Sequence, residues 1–136
     1  MSSKRSLFFV LFAVFSIGLL SPVAGVAQME QEEPVEIYFF PGGSEGGSFA
    51  SIVFNGARHA EEIFGDRVDI KYKWSDWSPQ KMVTQFQEAM AANPDGIAVM
   101  GHPGVSAYRK FVKQAQNKGI IVTSQNVTLT ELEKKY

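Results

Sequence analysis

The sequence contains no cysteine, which excludes a disulfide framework, thiol chemistry and a lipid carried on a cysteine after export. It contains only two histidines. His102 has no His, Cys or carboxylate at metal-ligand spacing, and His59 sits four residues after Asn55 on a helix face turned to solvent, so neither a metal centre nor a catalytic triad is indicated. Positive charge is not in excess: 13 Lys and Arg stand against 14 Asp and Glu, with no basic run. A nucleic-acid partner is therefore not expected. Long apolar runs are also scarce. The longest spans residues 7–20, carries Ser16 and Gly18 inside it, and is shorter than the roughly 20 residues a bilayer crossing needs.

That run has a different meaning. Lys4 and Arg5 precede it, and Ser21-Pro22 leads to the small residues Ala24-Gly25-Val26-Ala27, the pattern of a secretory signal peptide cleaved after Ala27. Removal of residues 1–27 takes away two positive charges and moves the net charge from −1 to −3. The expected product is exported, lies in the periplasm and has no lipid anchor. Residues 28–34 are acidic and polar, a flexible lead-in, and residues 35–136 hold one small core.

Beyond the leader, apolar periodicity alternates between strand and helix. Residues 35–40 (VEIYFF) read as a first strand that runs into the glycine-rich stretch 41–48, where Ser48 would cap a helix carrying Phe49, Ile52, Val53, Gly56, Ala57, Ala60 and Ile63 on one stripe. Residues 68–74 alternate, with Val68, Ile70, Tyr72 and Trp74 on one side and Asp69, Lys71 and Lys73 on the other, the pattern of an edge strand. Ser78-Pro79 starts a second helix with Met82, Val83, Phe86, Ala89 and Met90 inward, and 93–96 (NPDG) turns the chain.

The stretch 94–126 organises the rest. Two unbroken apolar runs, 97–100 and 120–123, bracket a helix with Val105, Tyr108, Phe111, Val112 and Ala115 at helical spacing, stopped by Lys118-Gly119. Runs that do not alternate suggest parallel strands covered on both faces. A short final helix is expected near Thr128, where Thr128 and Glu131 have capping-box spacing. Right-handed crossovers then give an α/β, doubly wound parallel sheet of strand order 2-1-3-4, with helices on both faces. In that order 120–123 lies at an open edge, apolar and in need of cover.

In an open parallel sheet the ligand sits beyond the carboxyl ends of the strands. The loop 41–48 lacks the Gly-Lys-Ser/Thr ending of a P-loop and does not fit G-x-G-x-x-G, so it is either a flexible turn or a place where backbone N–H groups meet a hydroxyl or an anion. Glu45 is either a solvated loop acid or an acceptor for two strong hydrogen bonds. With no second acid at a recognisable spacing it does not indicate a glycosidase. Trp74 continues the inward stripe of its strand and reads as core, whereas Trp77, in a loop, offers an indole face and an N–H. His102 follows a strand and suits a neutral hydrogen-bonding role.

With the export signal, Phe49 at a helix start, Asn55-Gly56-Ala57 within that helix, and PDGIAVMGHPG followed by KGIIVTSQN, the mature chain resembles periplasmic sugar-binding proteins of the ribose-binding type, which feed ABC importers. The resemblance covers the mature chain but only the first half of lobe one, and the second lobe is absent from this sequence. It implies a fold of two α/β lobes that close on a sugar, no cofactor and no catalysis. It also implies a permease in the inner membrane as partner, with a chemoreceptor as a further one. Carried over by position, it implies ligand contacts from Ser44, Glu45, Ser48 and Phe49 in the first loop, His102 in the third, and Gln125 and Asn126 in the fourth. Trp77 joins them on its own chemistry. Many members have two consecutive aromatics where this chain has Phe49-Ala50, and an Asp-Arg pair where it has Gln125-Asn126. The alternative from the residues alone is an exported, flavodoxin-like enzyme or anion-binding domain using the Gly/Ser loop.

Overall fold

The computed structural model describes residues 33–135, so the signal peptide read from 1–27 and most of the acidic lead-in lie outside the described residues. Strands β1 (Val35–Phe39), β2 (Val68–Tyr72), β3 (Gly96–Met100) and β4 (Ile121–Gln125) alternate with helices α1 (Ser48–Phe64), α2 (Pro79–Ala92) and α3 (Val105–Asn117). A 3-10 turn, Gly65–Arg67, follows α1, and a single helical turn, α4 (Thr130–Glu133), follows β4. All four strands are parallel, in the order β2-β1-β3-β4. This is the order that the crossover rule gives from the sequence.

Local chemistry explains the helix limits. Ser78 caps α2 by accepting the Lys81 N–H at 3.3 Å, and Pro79 occupies the first helical position, where its missing N–H has no intrahelical role. Asn93 ends α2 in the left-handed region at φ 58°, a conformation that asparagine tolerates better than most side chains. Gly119 does the same after α3 at φ 79°. Ser48, by contrast, is the first residue of α1 and not its cap. Gly47 holds that position and no side chain caps the helix.

The core lies between the sheet and the pair α2 and α3. Phe86 and Ala89 from α2, Tyr108, Val112 and Ala115 from α3, and Ile97 and Val99 from β3 are buried together. The Phe86 and Tyr108 rings meet with centroids 5.5 Å apart, and the buried Tyr108 hydroxyl donates to the Met100 carbonyl at 3.2 Å. Leu129 and Leu132 join this core from the segment after β4.

The other face is thinly covered. α1 packs over β2 through Phe54, whose ring lies 4.7 Å from Tyr72 and 5.2 Å from Trp74. Its buried residues are Ala50 and Ala57. The sequence stripe was therefore rotated: Ile52 (72% exposed), Gly56 and Ile63 point outward. The α1 sequence is apolar around more of its circumference than the one sheet face it meets, so apolar spacing alone does not fix which stripe is inside. Between α1 and β4 runs a groove of about 620 Å³ whose floor includes Ile37, Phe39, Ala98 and Ile121. Ile121 is 69% exposed. In the apolar run of β4, Val122 packs against the core cluster with Leu129 and Leu132, and α3 lies against the strand, while Ile121 stays open.

The strand ends also differ from the sequence pattern by one or two residues. Phe40 leaves β1 but its N–H still reaches the Ala98 carbonyl at 3.0 Å, and β2 stops at Tyr72, two residues before Trp74. α4 begins at Thr130, and Thr128 does not cap it. Glu133 instead takes the Leu129 N–H at 3.0 Å and the Ser124 hydroxyl at 2.8 Å, which fastens α4 to β4.

Phe86→Ala is expected to lower stability by about 3–5 kcal/mol, a value set by lost burial and a cavity. Ile121→Ala, on the bare face, is expected to change it by less than about 0.5 kcal/mol. Urea midpoints distinguish the two. Burial, then the hydrogen bond to Glu61, pushes the Tyr72 phenol up to about 12. The unfolded chain releases that proton near pH 10, so the contribution is complete below pH 10 and is lost as pH rises towards 12. Urea midpoints should fall across that window, and Tyr72→Phe should make the fall shallower without abolishing it, since burial raises Tyr108 as well.

Candidate functional site

Three loops meet beyond the carboxyl ends of β1, β2 and β3, and backbone hydrogen bonds hold two of them together. The Gly43 carbonyl accepts the N–H groups of Ser75 and Asp76, both at 3.1 Å, and the Gly42 carbonyl accepts the Trp77 N–H at 2.9 Å. This close approach requires glycine. A Cβ on Gly42 would stand 2.9 Å from the Met100 Cε and 3.1 Å from the indole, and one on Gly43 would stand 2.9 Å from both the Ala50 Cβ and the Trp77 Nε1. The glycines after β1 thus form a bed for an indole.

Trp77 is the centre of an aromatic cluster. Its ring lies 5.6 Å from Phe49, tilted by 56°, and 6.1 Å from His102 in an edge-on contact. Phe49 and Trp77 remain 43% and 40% exposed, so both residues stay partly open to solvent. Where the resemblance puts a second consecutive aromatic, this chain has Ala50, and the indole from the second loop lies beside it.

The polar margin begins at Ser44 and Asp76. The Asp76 carboxylate pairs with Lys81 Nζ at 2.5 Å and accepts the Ser44 hydroxyl. The Lys81 hydrogen bond first, and the Ser44 one second, hold this carboxyl below its ordinary value. Asp76 is the site residue that the sequence reading missed. The available signal was its place next to Trp77, but an aspartate in a loop before Ser-Pro reads as a turn former. Behind it Ser75 is fully buried, donating to Gln85 Oε1 at 2.6 Å, while Gln85 Nε2 donates to the Trp74 carbonyl at 2.9 Å. Trp74 packs on Phe54, in keeping with a core role.

The remaining candidates are spread around this centre. Glu45 is exposed in the turn before α1 and has no ion-pair partner among the described residues, and Ser48 is exposed in the first turn of α1. Gln125 is the last residue of β4, and its Nε2 donates to the Phe40 carbonyl at 2.8 Å, tying the fourth strand to the end of the first. Asn126 is exposed with φ 65°. Gly101 lets the fourth loop pass: a Cβ there would fall 1.8 Å from the Val127 carbonyl oxygen. The N-termini of α1 and α3 begin at Gly47 and Gly104 without side-chain caps, so their first N–H groups are available to an acceptor.

Together these groups offer ring faces, carboxylate acceptors and backbone donors on one rim. The Ser44 hydroxyl meets a carboxylate and not a histidine, so a nucleophile and base are not paired there. The Asp76 tie is present above the ordinary aspartate value near pH 3.9 and is lost as pH falls through the depressed one. Trp77 fluorescence in a Trp74→Phe background is expected to shift below about pH 4, and Asp76→Asn should give the acid-state spectrum already at neutral pH.

The comparisons agree with this architecture. No curated protein matches the chain. The solved structure of a sugar transporter from Clostridium phytofermentans superposes with a TM-score of 0.54 at 16% identity, over 67% of this chain and 33% of that one. The two share a fold, and this chain spans about a third of that structure's length. The model of the periplasmic binding protein domain matches residues 37–135, from β1 through α4. With the parallel order β2-β1-β3-β4 and a polar and aromatic rim at the strand ends, the chain belongs to the periplasmic binding protein domain family.

Proposed function

We propose that this chain forms one wall of an exported solute-binding protein that delivers a sugar or a similar small polyhydroxylated ligand to an ABC importer, without catalysis. The observation that carries the reading is the rim at the strand ends, where Phe49, Trp77 and His102 present rings beside the Asp76 carboxylate and Ser44. A hydroxylated ring or chain has apolar C–H patches for aromatic faces and O–H groups that donate to carboxylates. Its oxygens accept from the free N–H groups at the starts of α1 and α3.

The mechanism is closure. The opposite wall comes from a second lobe, the ligand's hydroxyls bridge the two, and the closed form is the one that the inner-membrane permease reads. The same closed form suits a chemoreceptor. Residues 1–27 act as the export signal, so the protein works in the periplasm. Ser44, Glu45, Ser48, Phe49, Trp77, His102, Gln125 and Asn126 are the ligand-facing set, with Asp76 added from the structure. Gln125 acts from beneath, through its bond to Phe40.

Titration calorimetry of the secreted protein against a panel of sugars and polyols is the test. Saturable binding of at least one member is expected, accompanied by compaction in solution scattering. Phe49→Ala and His102→Ala should each weaken it about tenfold, in line with about 1.4 kcal/mol for loss of one aromatic contact with its buried area. A complete panel without saturable binding would sink the proposal.

A further inference from the structure

Beyond the binding of a solute, we infer that the outer face of α3 is a docking surface for an anionic phospholipid membrane, held by charge and without insertion. The first argument is how charge is shared out. Residues 33–100 carry ten Asp and Glu against five Lys and Arg, whereas residues 101–135 carry two against six. A chain of net charge −1 has therefore gathered its positive charge in one region, an asymmetry that points to an anionic surface as partner. α3 itself, from Val105 to Asn117, has no acidic residue.

The second argument is where those charges point. Tyr108, Val112 and Ala115 turn into the core. At about 100° per residue, the opposite side of the helix is Ser106, Lys110, Lys113 and Asn117, all exposed. Lys110 and Lys113 have no ion-pair partner among the described residues. Arg109 flanks them, and Lys118 follows, with its Nζ on the Met90 carbonyl at 3.1 Å. The nearby acids are already engaged: Glu131 pairs with Arg109 at 2.7 Å, and Glu133 accepts from the Leu129 N–H and the Ser124 hydroxyl. α2, which packs beside α3, adds Lys81 and Glu88, with Lys81 tied to Asp76. The third argument is what the face lacks. Among the described residues, none of the large apolar side chains left exposed lies on α2 or α3, so neither helix offers the aromatic or apolar anchor around which a protein interface is built. A layer of lipid headgroups needs no anchor. It needs cations on long stems, each of which strengthens attachment to an anionic leaflet about fivefold. In about 0.15 M salt, screening limits such attraction to roughly 8 Å, so the local row of lysines counts and the acidic remainder of the molecule does not. Because the apolar side of α3 is buried in the core, the contact stays at the headgroups. It concentrates the protein at the membrane without holding it there.

The test is co-sedimentation of the full secreted protein, without sugar, with vesicles of one-third phosphatidylglycerol in phosphatidylcholine and with vesicles of phosphatidylcholine alone. The protein is expected to partition onto the anionic vesicles only, and to leave them as salt rises from about 25 mM to about 500 mM. Lys110→Gln with Lys113→Gln should weaken partition about twentyfold. Arg58→Gln with Lys71→Gln makes the same change of charge on α1 and β2, and should weaken it less than about twofold. All four positions are exposed, and an unchanged urea midpoint checks that each variant folds. No partition onto anionic vesicles, equal partition onto both kinds, no loss in the Lys110 and Lys113 variant, or an equal loss in the control variant overturns the inference. Retention on a poly-glutamate resin without vesicle binding overturns it too, and assigns the face to an acidic protein. None of these results bears on the solute-binding reading, which the calorimetric panel tests separately.

Discussion

The packing of α2 and α3 against β3 is the interaction on which the rest depends. Phe86, Tyr108, Ile97 and Val99 are buried in one cluster, and every strand finds its place relative to β3, which pairs with β1 on one side and β4 on the other. Full burial of side chains of this size contributes about 1.5–3 kcal/mol each, far more than any of the exposed ion pairs on the surface. Once β3 is fixed, the loops after β1 and β3 are brought to the same end of the sheet.

The rim at the strand ends is a second-order product of that packing, and it is assembled from backbone more than from side chains. The carbonyls of Gly42 and Gly43 collect the N–H groups of three successive residues, and the indole of Trp77 follows from where those bonds put its Cα. Polar side chains then trim the rim: Asp76 takes Lys81 and Ser44, and Gln125 reaches back to Phe40. A site built on backbone contacts of this kind tolerates little added bulk at the two glycines and much more around Glu45, which touches no ion-pair partner among the described residues.

Much of this was legible in the sequence because it follows from period and punctuation. Strand order, the capping of α2 by Ser78 with Pro79, and the stop at Gly119 are local signals with direct physical causes. The placing of His102 beyond β3 followed from topology alone. What escaped was long-range. The inward stripe of α1 is not fixed by its own sequence, which is apolar on several sides, and the contacts with Tyr72 and Trp74 take Phe54 inward. Asp76 carries no local signal because its partners, Lys81 and Ser44, lie five residues ahead of it and on another loop. Thr128 and Ser48 have cap chemistry at the right spacing, yet the cap positions fall at Leu129 and Gly47.

The sheet order also sets a timetable for the growing chain. β1 leaves the ribosome first, but it lies between β2 and β3, and the cluster that anchors β3 draws on Phe86, Tyr108, Val112, Leu129 and Leu132, all in the second half of the sequence. An emerging N-terminal half therefore has a strand, a thinly packed helix and an edge strand, with few of the contacts that make a nucleus. Folding waits for the late residues. Within the described residues, the β3 side of β1 therefore stays unpaired, and its apolar face bare, until the residues that anchor β3 have followed it.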